Sequence, residues 1–182
     1  KVIMAMTLIA DNTADTTDLA TVSFTSSIDS TYKLYIFKFY DVNPATDGVT
    51  LSVQFNASSQ SGYNETITST YFKAEHNEDD SGTDLSYSTG NDQAQGTAFQ
   101  DITRTLGNGG DESAAGELFL FNPSSTTYVK HFYSRLNGYH QSDGSRDCFV
   151  GGYINVTAAI TDVQFKMSSG NMDGTIKMYG VG

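Results

Sequence analysis

Apolar and polar side chains alternate along most of this chain, most clearly towards its C-terminal end. Val163 and Phe165 are separated by a polar residue, and so are Ile176 and Met178 beyond a turn rich in glycine and asparagine. A two-residue period is typical of half-buried β-strands, and glycine, asparagine and aspartate favour the turn between them. Residues 163–182 are therefore predicted to form a β-hairpin that closes the fold from the inside.

The most aromatic segment, TYKLYIFKFYD, predicts a strand that is apolar on both faces. Leu34 and Ile36 lie on one face of such a strand, and Tyr35, Phe37 and Phe39 lie on the other. Because both faces are apolar, we expect a central strand with one face in the core and the second face covered by another subunit. Tyr35, Phe37 and Phe39 are the candidate oligomer interface, and a homotrimer is the expected assembly.

Several other segments are also predicted to be strands. Residues 1–10 are apolar and favour a first strand over a secretory signal core, and residues 51–55 predict a strand with a single buried face. Apolar spacing does not hold a 3.6-residue period over three turns, and the one plausible helical turn covers residues 94–100. About ten strands with turn residues between them predict an all-β fold, a jelly-roll-like β-sandwich formed by a single domain over residues 1–182.

Charge and cysteine content exclude several classes of function. The 182 residues carry a formal net charge of -11, so a nucleic-acid backbone would be repelled. Apolar runs stay below the roughly 18 residues that a membrane helix requires, so membrane insertion is not expected. The single cysteine, Cys148, rules out an internal disulfide framework and is predicted to be a buried strand residue.

The sequence contains one weak candidate metal site. Glu78, Asp79, Asp80 and Asp84 form an acidic loop that could offer oxygen ligands to Ca²⁺, although their spacing is not that of an EF-hand and a solvated loop is the preferred interpretation. No other cofactor is indicated. Histidine pairs with zinc-ligand spacing are absent, and Cys148 has no neighbours that mark a nucleophile, so the chain is predicted not to be an enzyme.

Tyrosines in polar loops are the candidate ligand-binding residues. Asn, Asp or Gln residues lie close in the sequence to Tyr63, Tyr87 and Tyr139. Aromatic rings beside amide and carboxylate groups suit stacking and hydrogen bonding to sugars, although ordinary loop packing would produce the same pattern. The loops at residues 58–63, 76–91 and 107–116 are the expected contact regions.

Several longer phrases resemble a known family. LFNPSSTTYVKHF, YSTGNDQAQGTAFQDI and the closing QFKMSSGNMDGTIKMYG resemble a family of tailed-phage virion proteins common in marine phages. Members of that family end in a QFKMSSGN-type hairpin and an LYG-like tail, where this chain has Met178-Tyr179-Gly180. The resemblance implies a β-sandwich on the virion surface beside other virion proteins, and it supplies no catalytic residue.

The predicted fold, the candidate residues and the family resemblance suggest three functions. The preferred one is a fibre or knob domain that binds a glycan or protein on the host surface. The alternative is a decoration or cement protein that stabilises the capsid. A third, a glycan-cleaving fibre enzyme, would need two carboxylates about 5 to 9.5 Å apart in a groove, which the sequence does not place.

Overall fold

The computed structural model describes residues 5–13 and 16–182, and the fold is a two-sheet β-sandwich. Within those residues there is no helix, and every regular element is a strand. The all-β prediction is confirmed, with 13 strands instead of about ten because short edge strands escaped the pattern. The strands β1 to β13 are Met6–Asp11, Val22–Phe24, Leu34–Pro44, Leu51–Ala57, Ile67–Asn77, Thr83–Tyr87, Ala94–Gly96, Gln100–Asp101, Ala114–Phe121, Lys130–His140, Gly144–Ile154, Ile160–Met167 and Met172–Val181.

Strand order divides the chain between a large and a small sheet. The large sheet has nine strands in the order β1-β13-β3-β9-β10-β11-β5-β6, with β7 also paired to β5. The small sheet has four strands in the order β2-β12-β4-β8. The chain changes sheet at every step from β1 to β5 and enters the small sheet again for β8 and for β12, whereas β9, β10 and β11 form a meander within the large sheet.

The closing segment contains the two predicted strands, but they do not form a hairpin. β12 lies between β2 and β4 in the small sheet, while β13 lies between β1 and β3 in the large sheet. The turn between them includes Gly170 at φ 71, a conformation that favours glycine. The hairpin prediction is wrong because the two strands belong to different sheets and bury their apolar side chains in the shared core, which side-chain alternation cannot distinguish from pairing within one sheet.

The predicted oligomer interface is instead the centre of the core. Tyr35, Phe37 and Phe39 are almost fully inaccessible within one chain. The Phe165 ring of β12 lies 5.3 Å from the Phe37 ring and 5.1 Å from the Phe39 ring, in edge-to-face geometry. That prediction is wrong because the small sheet itself covers this face of β3, and it is Leu34 that lies on the outer face.

Two local predictions also need correction. Residues 94–100 contain the strand β7 and the start of β8, not a helical turn, because Ile67 and Thr68 of β5 provide backbone partners. β4 is buried on both faces, since the Gln54 amide donates to the carbonyl oxygens of Glu65 and Ala98 in the loops above it, at 3.1 and 2.8 Å. The prediction for residues 1–10 is met by β1 from residue 6 onward, and residues 1–4 lie outside the described residues.

Candidate binding face on the large sheet

The outer face of the large sheet carries aromatic and charged side chains in one continuous row across the strands. Backbone register aligns the members of this row on neighbouring strands from β6 to β1. In order they are Tyr87, Phe72, Phe149, Arg135, Glu117, Lys38, Lys177 and Asp11. Cross-strand neighbours on one face interact directly, so this outer row is a single chemical surface.

Aromatic rings make up one half of this face. Phe72 and Phe149 are stacked with their ring centroids 4.6 Å apart and their planes 3° apart. In the next row, Phe119 and Tyr133 stack at 4.5 Å and 18°. Phe72 is 42% and Tyr133 44% exposed, so these rings meet solvent rather than the sandwich core. Exposed aromatic patches of this kind mark interaction surfaces.

Ion pairs make up the other half. Arg135 donates from Nε and Nη2 to Asp147 Oδ2 at 3.0 and 2.6 Å, and its guanidinium lies 5.0 Å from the centre of the Phe149 ring. Lys38 Nζ donates to Glu117 Oε2 at 3.0 Å. Hydrogen bonding to these carboxylates raises the pKa of both Arg135 and Lys38, so both cations keep their charge at neutral pH.

Two adjoining depressions lie over this surface and share Arg135. The ionic cleft, about 520 Å³, is lined by Lys38, Tyr40, Glu117, Arg135, Asn137 and Asp147 among others. The aromatic hollow, about 380 Å³, is lined by Thr70, Phe72, Tyr133, Arg135, Phe149 and Gly151 among others. Both volumes fall in the range of about 300–1,000 Å³ that is typical of small-ligand sites.

The ionic cleft retains hydrogen-bonding capacity of both kinds. Arg135 uses Nε and Nη2 for Asp147, which leaves Nη1 as a donor, and Glu117 uses Oε2 for Lys38, which leaves Oε1 as an acceptor. Asn137 donates from Nδ2 to Ser145 Oγ at 2.9 Å, which leaves Oδ1 to accept. Donors and acceptors held side by side match the paired hydroxyl groups of a sugar.

A second ionic cluster lies on the inner side of the same sheet. Lys73 Nζ contacts Glu75 Oε1 at 2.8 Å and Asp84 Oδ2 at 2.9 Å, and Arg146 pairs with Glu75 and donates to Thr105 Oγ1. The Lys73 and Arg146 side chains are only 10% exposed. Because its members bond to one another and to the loop before β9, this inner cluster is structural.

The three candidate tyrosines do not form one site. Tyr63 lies in the loop between β4 and β5, and partial burial raises its pKa. Tyr87 is in β6, and its hydroxyl donates to Asp92 at 2.5 Å, which raises its pKa. Tyr139 lies in β10, which β11 and β5 separate from the strand of Tyr87. Desolvation and a hydrogen bond with Glu78 raise the pKa of Tyr139 to about 12. Of the three, Tyr87 belongs to the outer row.

The four acidic candidates are not gathered around a cation position. Asp84 bonds Ser86 and Lys73, which lowers its pKa, and Asp79 caps the turn by accepting from the Ser81 amide. Asp80 contacts His76 at 3.0 Å, and Glu78 lines a surface depression together with Asp79 and Asp143. In the described part of the chain, no three His, Cys, Asp or Glu side chains are arranged to hold a metal ion.

Cys148 is buried in β11, as the sequence predicted. Burial raises the pKa of its thiol, and the side chain is 1% exposed. A thiol that is protonated and shielded from solvent is unreactive.

Sequence reasoning missed the residues that form the two depressions. Tyr133, Arg135 and Asn137 do alternate within one strand, which was a usable signal for an exposed face. Their partners Phe149 and Asp147 come from β11, and Lys38 and Glu117 come from β3 and β9. Only strand register brings these residues together.

No family model matches the chain, and no curated protein matches it either.

Within the described residues, the structure contains no helix that is long and apolar enough to cross a membrane.

Proposed function

We propose that this chain is a non-enzymatic binding domain on the surface of a tailed-phage particle, a fibre or knob domain that contacts the host. The outer face of the large sheet, with its exposed stacked rings and ionic cleft, is the observation that carries this proposal. The resemblance of residues 163–182 and other phrases to a virion family supports the phage context.

The proposal moves the contact surface from the loops to the sheet. Loops at residues 58–63, 76–91 and 107–116 were the sequence-based candidates, and part of the second forms the edge strand β6. The face of the large sheet gathers aromatic and polar groups from six neighbouring strands, β3, β9, β10, β11, β5 and β6. A surface built on paired strands is also more rigid than a loop, which lowers the entropy cost of binding.

Adsorption of phage particles to host cells tests this proposal. The isolated chain should compete with particles for the cell surface, and the variant Phe149→Ser should compete less well. A matched control is Gln164→Ala, which changes a half-buried residue of the small sheet that donates to Ser23 at 2.9 Å. Competition that is absent for the unmodified chain, or unaffected by Phe149→Ser, would contradict the proposal.

A capsid decoration protein is the second candidate. The observation in its favour is an apolar patch at the β1 edge of the same sheet, where Met6 and Leu8 are 49% and 48% exposed and pair with Val181 and Tyr179 of β13. Such a patch could be buried against coat subunits. Location in a particle reconstruction separates the two functions, because copies spread over the capsid lattice indicate decoration and copies confined to fibre tips indicate host binding.

The homotrimer remains a prediction. With Phe37 and its neighbours in the core, an interface between copies would have to use residues that remain accessible on the outer face, such as Leu34 and its cross-strand partner Phe121.

A further inference from the structure

We infer that the aromatic hollow and the ionic cleft together form one binding site for uncharged glycans. This inference rests on the proposed function and names the ligand class for that surface. Three features of the site support it, namely the floor at Gly151, the free ring face of Tyr133 and the paired state of the charges.

Gly151 leaves a space in the outer face where every neighbour carries a side chain. A Cβ placed on Gly151 would meet only Thr70 Oγ1, at 3.9 Å, and its φ lies outside the left-handed region. Backbone geometry therefore does not require glycine at this position. The adjacent Gly152 differs, because a Cβ there would lie 2.7 Å from the Thr68 carbonyl oxygen. Close packing against β5 therefore accounts for glycine at position 152, whereas at position 151 the role of glycine is to keep the space above the sheet open.

Tyr133 presents one face of its ring to this space. In the sheet register, Tyr133 has Phe119 on one side and Gly151 on the other. Since Phe119 stacks on one ring face at 4.5 Å, the opposite face looks across Gly151. A flat apolar ring face beside an open floor suits the apolar C–H face of a pyranose. Across the space, the Thr70 hydroxyl donates to the Gly151 carbonyl oxygen at 3.3 Å, and its own oxygen can still accept a hydrogen bond.

The charges of the site select against acidic ligands. All four charged side chains that line the ionic cleft are paired, Arg135 with Asp147 and Lys38 with Glu117. The cleft therefore has no net charge to offer a carboxylate or sulfate, and the formal charge of -11 on the whole chain repels anions. Its spare donor and acceptor atoms remain available for neutral hydroxyl groups.

Binding to immobilised oligosaccharides tests the inference. The intact chain, displayed multivalently, is applied to neutral hexose oligosaccharides and to sialylated, uronate-containing and sulfated ones. We expect binding to the neutral set, with little change between about 0.05 M and about 0.5 M salt because no charge pairing is involved. Binding confined to the acidic set would overturn the inference.

Matched variants locate the site. Gly151→Val fills the hollow and should reduce binding to the neutral oligosaccharides at least about tenfold. Gly110→Val alters a glycine with equally open surroundings in the loop before β9, outside both depressions, and should leave binding unchanged. Tyr133→Ala should also reduce binding about tenfold, and Tyr133→Phe, which keeps the ring face, should change it by less than about threefold. Undiminished binding by Gly151→Val would overturn the inference.

The two proposals fail in different ways. If the chain competes for host cells but binds none of the oligosaccharides, the glycan inference is wrong and the proposed function stands. If it binds neutral oligosaccharides through Gly151 but does not compete for cells, the proposed function is wrong and the glycan site stands.

Discussion

Arg146 and Asp147 are neighbours in β11, yet their ion pairs have different roles. Arg146 points inward and joins Glu75 and Lys73 in a cluster that is largely shielded from water. Asp147 points outward and holds Arg135, whose side chain is 64% exposed. An arginine–carboxylate ion pair is therefore shielded within the fold on the inner face, whereas on the outer face it is accessible from solvent. Burial, rather than residue type, decides between these two roles.

The largest expected effect comes from the inner face. Phe37→Ala removes a ring that packs against Phe24 and Phe165, both at 5.3 Å, and should lower the free energy of unfolding by about 4 kcal/mol. Phe72→Ala, on the outer face, should cost about 1 kcal/mol, because that ring is already half exposed. Chemical denaturation of both variants measures the difference, and similar losses would contradict the assignment of the two faces.

The inner ion cluster should be the next most sensitive. Arg146→Met leaves the partly buried Glu75 carboxylate with Lys73 alone and removes the bond to Thr105, so we expect a loss of about 2 kcal/mol. Thermal unfolding checks this value. A variant as stable as the unmodified chain would show that the cluster contributes nothing net to folding.

Acid should weaken the inner cluster through Glu75. Burial by itself would raise the pKa of Glu75, but hydrogen bonds and charges from Lys73 and Arg146 outweigh it and lower the pKa below the ordinary value of 4.5. A carboxyl group with a lowered pKa stabilises the fold fully above its unfolded pKa, and that stabilisation is lost as the pH falls through the folded value. Stability should therefore decline below about pH 4.5.

The control for this pH effect is Glu75→Gln, which removes the titrating group. Its stability should depend less on pH in the acid range, measured by urea unfolding at a series of pH values. An equal decline in both proteins would mean that other carboxyl groups, such as Asp84 with its lowered pKa, dominate the response.

The smallest effect on stability is expected on the outer face. Arg135→Met breaks the pair with Asp147 but should cost less than about 1 kcal/mol, because exposed ion pairs contribute little. The same variant should weaken ligand binding, since Arg135 lines both depressions. Comparing its unfolding curve with its binding curve separates a ligand-contacting residue from a structural one, and a large loss of stability would contradict this assignment.

Side-chain periodicity was sufficient to predict most of the long strands but not the partners of those strands. Ile176 and Met178 alternate as expected and are buried, yet the strand that contains them pairs with β3 and β1 rather than with β12. Alternation reports which residues share a face of one strand. It carries no information on which distant strand lies alongside, because that choice depends on packing between the sheets.

The candidate site shows the same limit. Tyr87 was selected from its sequence neighbours and lies in the outer row, but its partners there, Phe72 and Phe149, come from strands that are distant in the chain. The aromatic face at Tyr35 was predicted to be an oligomer interface, but the small sheet of the same chain covers it.

The sequence by itself determined that this chain is all-β, that Cys148 is buried, and which side chains share a face of each strand, because these properties follow from local alternation and turn chemistry. Only the tertiary structure decided which aromatic face is core and which is open, and that Arg135, Asp147, Lys38 and Glu117 meet in one cleft. The physical reason is that the register between strands is set by the summed packing of both sheets, to which every strand contributes at once.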